Sequence, residues 1–301
     1  MRKTTRRRHV YKARDPEGKN LRPMFKFFLP ALVLFLGLLP RPGFTWGADG
    51  HKIICEIAYK ELNPIARIRV NQLLAADPEY HSFAAACVWA DQVANSTRPE
   101  TKPWHFLNLP RSARRVSLDD CPRREGCILS AIARHSAALA DPKTPPAEKL
   151  EALKYLGHWI GDFHQPLHLS FLDDRGGNFI PVRWMYFRDT DLHRLWDSEM
   201  IADEEHAAHM RWKTLAARLD ADVTPGERRA WTQGSILDWA NETFKITRAA
   251  QTGYVTARPN QLLELNNAYY RANLPVVNGQ LERAGIRLGA ILNKILGRQT
   301  Y

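Results

Sequence analysis

The chain has 301 residues, 45% of them hydrophobic, with a formal net charge of +11; that apolar content is enough to bury a sizeable core and excludes a disordered chain. Eleven of the Lys/Arg residues fall in the first 45 positions against only Asp15 and Glu17, a local net of +9 that leaves +2 for the rest. So neutral a body excludes binding through a broad basic face of the histone or repressor kind and confines any nucleic-acid contact to a local site.

Residues 1–45 read as a basic region followed by a secretory signal. Phe27 to Pro40, FFLPALVLFLGLLP, is an apolar run too short to span a bilayer comfortably, preceded by cations and followed by RPGFT. Met24 stands just before that run, so the start codon is Met1 or Met24. Cleavage between Thr45 and Trp46 departs from the usual small-residue preference, and the signal alone does not demand it. Export, secreted or periplasmic, would leave residues 46–301 as one domain with no membrane attachment. Four cysteines, Cys55, Cys87, Cys121 and Cys127, are an even set, which favours two disulfides over thiolate metal ligands. Three pairings are possible. Closing the short loop from Cys121 to Cys127 is the simplest, and it leaves Cys55 with Cys87.

Beyond Trp46 the periodicity predicts a mainly helical, all-α domain, with breaks at Asn63-Pro64, Pro99 to Lys102, Asp141 to Pro146 and Thr224 to Gly226. The strongest helix is Ala147 to about Gln165, where Tyr155, Leu156, Trp159, Ile160 and Phe163 share one arc. His158 and Asp162 project together beside that arc, with Gly157 and Gly161 near them, and Pro166 stops the helix. A small β-hairpin is predicted at 178–187, NFIPVRWMYF, after Gly176-Gly177. Helical patterns resume at His193 and run to the end.

The histidines carry the chemistry. His158-x-x-x-Asp162 and His193-x-x-x-Asp197 are two i,i+4 pairs, the spacing that lets two side chains on one helical face share an ion, and His168 follows just past the Pro166 break. One such pair is more often surface than site; two plus His168 point to metal. A His/Asp set, with the cysteines otherwise engaged, suits zinc.

Seven motifs in this order, WGADGH (46–51), WAD (89–91), WHFLNLP (104–110), CPRREGCILSAI (121–132), LGHWIGDFHQPLH (156–168), GGN (176–178) and DLHRLWD (191–197), resemble the zinc-dependent single-strand-specific nucleases and 3′-nucleotidases, the mung bean nuclease type. The resemblance covers nearly everything from Trp46 onward and implies a phospholipase C/nuclease-like fold with three zinc ions (Zn2+). It implies that the amino group and carbonyl of Trp46, made terminal by cleavage, ligate one zinc with His51. Asp91, His105 and His158 would hold a second, Asp162 would bridge the two, and His168, His193 and Asp197 would hold a third. Asp91, Asp162 and Asn178, the last near the phosphate, would thus be the residues of catalysis. The resemblance also implies the pairs Cys55–Cys87 and Cys121–Cys127.

The implied activity is zinc-assisted hydrolysis of single-stranded DNA and RNA to 5′-phosphate products, with 3′-nucleotides as further substrates and no stable protein partner. Phe106 matches an aromatic on which a base stacks, although from the residues alone it reads equally as core. Asn108 stands where fungal members have an acidic base contact, and Ala94 where they have a cation. Lys102 or the arginines of the 111–124 loop are candidates to compensate for that cation, or they form a plain solvated surface. His164 is expected beside the site or in packing, and His81, His135, His206 and His209 outside it. Asn95 and Asn241 begin N-glycosylation acceptor patterns. The alternative is a zinc-dependent phospholipase C-like enzyme, which the resemblance disfavours, since His51 lies only five residues from Trp46 and Asp197 replaces a glutamate.

Overall fold

A computed structural model describes residues 46–298; the segment 1–45 expected as basic region and signal lies outside the described residues. Helices dominate: α1 Ala48–Lys60, α2 Pro64–Leu74, α3 Phe83–Ala86, α4 Trp89–Ala94, α5 Ile128–Ala140, α6 Pro146–His164, a short α7 Leu192–Arg194 running through a widened π turn Leu195–Glu199 into α8 Met200–Ala207, then α9 Trp212–Asp222, α10 Pro225–Trp231, α11 Ile236–Thr247 and α12 Asn267–Leu296. No described helix is long and apolar enough to cross a membrane.

The local rules that start these helices are plain. Asn63 caps α2 by accepting from the Ala66 N–H at 2.9 Å, with Pro64 in the first turn, where its missing N–H costs nothing. Thr224 and Glu227 form a reciprocal capping box on α10, as do Ser235 and Asp238 on α11. The predicted breaks at 63–64 and 224–226 are therefore helix starts. The break at 99–102 is instead the 3-10 turn Pro99–His105, which contains a second proline, Pro103.

Helix α6 is the centre of the fold. It begins on Pro145-Pro146, ends at Gln165 before Pro166, and everything from Ala152 to His164 is buried. One side packs against α5, another against α1, which in turn lies on α12 and α9. Trp159, Tyr155, Ile160 and Phe163 fill the core between these layers. On the α1 side, Gly157 and Gly161 let the backbones approach. A Cβ on Gly157 would lie 2.5 Å from Cys87 Sγ, and one on Gly161 would lie 2.8 Å from the His51 ring.

Both disulfides have the expected pairing, Cys55–Cys87 and Cys121–Cys127. The first ties α1 to the α3–α4 corner beneath Gly157. A 32-residue separation corresponds to about 3.5–4 kcal/mol of lost chain entropy in the unfolded state.

The hairpin is real but displaced. Strand β3, Pro181–Trp184, pairs antiparallel with β4, Arg188–Asp191, and in parallel with β5, Leu263–Leu265. The chain reverses within the predicted run because Met185 and Tyr186 take positive φ, 52° and 69°, and Phe187 N–H donates to Trp184 O at 3.2 Å. β-Forming side chains with no Gly or Asn hide such a turn from pattern reading. A second small sheet, β1 Leu107–Leu109 paired in parallel with β2 Leu169–Phe171, has no hairpin signal because its partners are 62 residues apart.

Replacing Gly157 with Ala should force the disulfide or α6 to shift. We expect a loss of about 1–3 kcal/mol in guanidinium unfolding; an unchanged midpoint would show that the corner yields without cost.

Candidate metal centre

Six elements bring the predicted ligands together. Helix α1 supplies His51, α4 supplies Asp91, the Pro99–His105 turn supplies His105, α6 supplies His158 and Asp162, and the Leu192–Glu199 segment supplies His193 and Asp197. His168 stands at the end of a short turn that Pro166 forces. The donor atoms form three groups, His51/His158/Asp162, Asp91/His105/His158 and His168/His193/Asp197, each with its atoms within 4.8 Å of one another.

Asp162 is the hub. Its Oδ1 lies 3.2 Å from His51 Nε2, and its Oδ2 lies 3.0 Å from His105 Nδ1 and 3.2 Å from His158 Nε2. Asp91 Oδ1 is 3.5 Å from His158 Nε2 and 3.6 Å from His105 Nδ1. In the third group, Asp197 Oδ2 is 3.3 Å from His193 Nε2 and Asp197 Oδ1 is 3.6 Å from His168 Nε2. His168 Nδ1 lies 3.9 Å from Asp162 Oδ2, so the third group adjoins the first two.

Backbone carbonyls fix the orientation of three of the rings. His158 Nδ1 is 2.7 Å from Cys87 O, His168 Nδ1 is 2.8 Å from His105 O, and His193 Nδ1 is 2.7 Å from Gly176 O. Each Nδ1–H donates to a carbonyl, which fixes the tautomer and turns an Nε2 lone pair toward the carboxylates. Lone pairs facing carboxylate oxygens in a buried site repel unless a cation stands between them. His168 Nε2 and Asp197 Oδ2 are buried without a hydrogen bond to any described residue. Imidazole and carboxylate donors so arranged fit zinc.

The charge balance agrees. Burial pushes the Asp197 carboxyl well up, with its neighbours His193 and Gln165 acting in the opposite direction. Burial acts against ionisation of Asp162 too, but His158 and His168 hold it well below the usual carboxylate range. At His158, burial opposes the proton, yet Asp162 and Asp91 outweigh it and raise the imidazole to about 10. His51 is lowered to about 4 by burial, with His158 adding to the effect.

Trp46 is fully buried, its Nε1–H donating to Gly161 O at 2.8 Å, and the next amide, Gly47 N–H, donates to Asp197 O at 2.8 Å. The residue is thus pinned between the two segments that carry Asp162 and Asp197. Phe106, 38% exposed, follows His105 directly. Asn108 is half-buried, its Oδ1 accepting from Ser170 Oγ at 2.8 Å, and Asn178 Nδ2 donates to Arg175 O at 2.7 Å within its own turn. Ala94 is buried, whereas Lys102 is exposed.

The remaining histidines stand apart from the cluster. His164 faces α12, its Nε2 3.1 Å from Arg287, and burial followed by that guanidinium lowers its pKa well below the usual value. His135 packs on Tyr155 and Trp159, and His81, His206 and His209 are exposed. Of the glycosylation patterns, Asn95 is exposed. Asn241 is occupied, bonding both the N–H and the carbonyl of Val116.

Pattern reading missed Gln165. Fully buried, it donates from Nε2 to Asp197 Oδ1 at 2.5 Å and accepts the Leu167 N–H at 2.5 Å, so one amide joins Asp197 to the turn that carries His168. Thr247 Oγ1 braces that turn against the Pro166 and Leu169 carbonyls at 2.6 and 3.0 Å. A glutamine in the last turn before a proline carries no ligand signal; only the topology brings it to Asp197. The Gln165→Leu variant should weaken divalent-ion binding at the third group by about 10–100-fold. Competition against a chromophoric chelator reads this, and wild-type affinity would show the bond to be dispensable.

Comparison with known proteins gives a consistent set of likenesses. The profile of the S1/P1 Nuclease family matches residues 46–297. Endonuclease 2 of Arabidopsis thaliana is 32% identical over 272 residues, which cover 84% of this chain and 91% of the relative. Nuclease S1 of Aspergillus oryzae is 30% identical over 271 residues (84% and 92%), and Nuclease P1 of Penicillium citrinum is 26% identical over 279 (84% and 99%).

Proposed function

The chain belongs to the S1/P1 nuclease family, and from that premise we propose that it is an exported zinc phosphodiesterase that cleaves single-stranded DNA and RNA to 5′-phosphate products and dephosphorylates 3′-nucleotides. The observation that carries the reading is the convergence of His51, Asp91, His105, His158, Asp162, His168, His193 and Asp197 into three adjoining groups, all of them buried except the half-buried Asp91. The relatives' names, endonuclease and nuclease, support the reaction class.

Three zinc ions are assigned to these residues. The amino group and carbonyl of Trp46 with His51 would serve the first; Asp91, His105 and His158 would serve the second; Asp162 would be shared by both; and His168, His193 and Asp197 would serve the third. Bound zinc supplies Lewis-acid activation of water and neutralises the charge of the phosphate and of the departing oxygen. The protein's own part is placement. The Nδ1–H bonds to Cys87, His105 and Gly176 carbonyls hold three imidazoles in the ligating tautomer. Burial excludes competing water from the donors.

Phe106, exposed beside His105, offers a stacking face worth about 1–3 kcal/mol per base, which needs an unpaired base and tolerates any. Asn108 presents an amide near that face, able both to donate and to accept, where an acid would only accept. Asn178 commits one N–H to Arg175 O and keeps a second for a phosphate oxygen.

Trp46 ties activity to processing. Its indole is already seated, but an amino-group ligand exists only after cleavage before it. Protein beginning at Trp46 should bind three zinc ions and hydrolyse single-stranded DNA, RNA and 3′-AMP. Protein with one extra N-terminal residue should lose zinc and most activity. Hydrolysis of a choline phospholipid without nuclease activity would overturn the substrate assignment, and equal zinc content in both proteins would overturn the role of Trp46. Mass spectrometry of the protein exported by its producing cell should find Trp46 at the N-terminus.

A further inference from the structure

The body's small net charge hides an uneven distribution. Residues 98–134 carry eight Lys/Arg against four acids, a net of +4, while 46–301 as a whole carries +2. Two of those cations are committed to the fold, Arg98 to Glu151 and Arg111 to Asp173 and Asp174. Lys102, Arg123, Arg124 and Arg134 are exposed and take part in none of the ion pairs among the described residues.

These four are gathered on the segment that carries His105. Arg123 and Arg124 form the tip of a turn closed twice, by the Cys121–Cys127 bridge and by Gly126 N–H donating to Pro122 O at 2.9 Å. The turn is fastened to Trp104, whose Nε1–H donates to Glu125 O at 2.9 Å, and the Arg134 guanidinium lies 4.7 Å over the same indole. Lys102 precedes Trp104 by two residues. On the other side of Trp104, Ile128 N–H donates to Phe106 O at 3.3 Å. With Glu125 fixed at Trp104, the backbones of Arg124 and Arg123 lie within about 4 and 7 Å of it along the chain. A short covalently closed turn thus carries two exposed arginines without an ion pair, and its backbone is bonded to the indole that immediately precedes His105 and the exposed Phe106.

We propose that this turn is a phosphate-binding rim that takes the backbone of a single-stranded nucleic acid next to the nucleotide seated at Phe106. The inference rests on the nuclease reading above and adds the course of the strand. Arginines with no carboxylate partner, held on a rigid turn, lose little freedom when they pair with phosphate oxygens. Glu125 is exposed in the same turn and brings its net to +1, so the rim's pull is local and salt-sensitive. A 3′-mononucleotide, with its single phosphate at the metal groups, has nothing to offer the rim. A strand of several nucleotides does.

The test uses the processed, zinc-loaded enzyme and its Arg123→Ser/Arg124→Ser variant. For a 12-nucleotide single strand, the variant's KM should rise by about five- to tenfold with kcat unchanged. For a phosphorothioate 12-mer, the slope of log Kd against log salt should become shallower by about 1.4, the loss of two single-strand phosphate contacts. Hydrolysis of 3′-AMP should not change, and Arg123→Lys/Arg124→Lys should keep most of the wild-type KM, since charge is the main term. A folded Ser variant, its melting temperature at the wild-type value, with unaltered KM and salt slope overturns the rim. If the Ser variant melts early, Arg123→Gln/Arg124→Gln, which keeps side chains of similar length without the charge, decides instead, and a wild-type salt slope in that variant again overturns the rim. Failure of the wild-type enzyme to cleave any nucleic acid would refute the nuclease reading; the phosphorothioate binding arm would still judge the rim by itself.

Discussion

A carboxylate with no access to water sits near the end of the longest buried helix run among the described residues, and the rest of the molecule is arranged to make that tenable. Asp162 lies wholly inside, and so do His51 and His158 against it. An isolated buried charge is among the most costly features a fold can contain. Here the cost is met by bringing histidines from α1, from the Pro99–His105 turn and from α6 itself to the same two oxygens. Those elements must therefore cross at one place, which explains why α6 carries glycine toward α1 and why a disulfide fastens the corner beside it. Core, covalent link and ligand placement answer one electrostatic demand.

Much of this was legible in the sequence, for reasons specific to particular residues. The His158–Asp162 and His193–Asp197 spacings report directly on a helical face, because three or four residues of helix fix side-chain direction. Pro166 marks the end of α6 as it should, and the cysteine pairs are those the motifs imply. What was not legible depends on contacts between distant segments. Gln165 meets Asp197 only once the chain has passed through the hairpin and returned. The shift of that hairpin comes from Met185 and Tyr186 accepting positive φ, with Tyr186 Oη held by Asn266 Nδ2 at 2.9 Å, so that tertiary contact overrides turn preference. Asn241 looks from its triplet like a surface acceptor and is instead a bridge to Val116.

Charge follows the same separation between local and global quantities. The +11 of the whole chain says little about the folded body, because +9 of it stands before Trp46. Within the body, what matters is which cations are already spoken for. Arg111 stacks on Phe171 and pairs with two aspartates, so it is a structural residue; Arg123 and Arg124, twelve and thirteen positions later, have no such employment. Local fields arise from such unpaired groups rather than from totals.

The Cys55–Cys87 bridge has one more effect. It joins the helix of His51, four residues before Cys55, to the corner that leads into Asp91, four residues after Cys87. An unfolded but oxidised chain therefore keeps these two donors at a high effective concentration relative to each other, as a loose chelate, where a reduced chain would hold them forty residues apart. The bridge gives the polypeptide a partial record of this donor geometry that outlasts the loss of the fold.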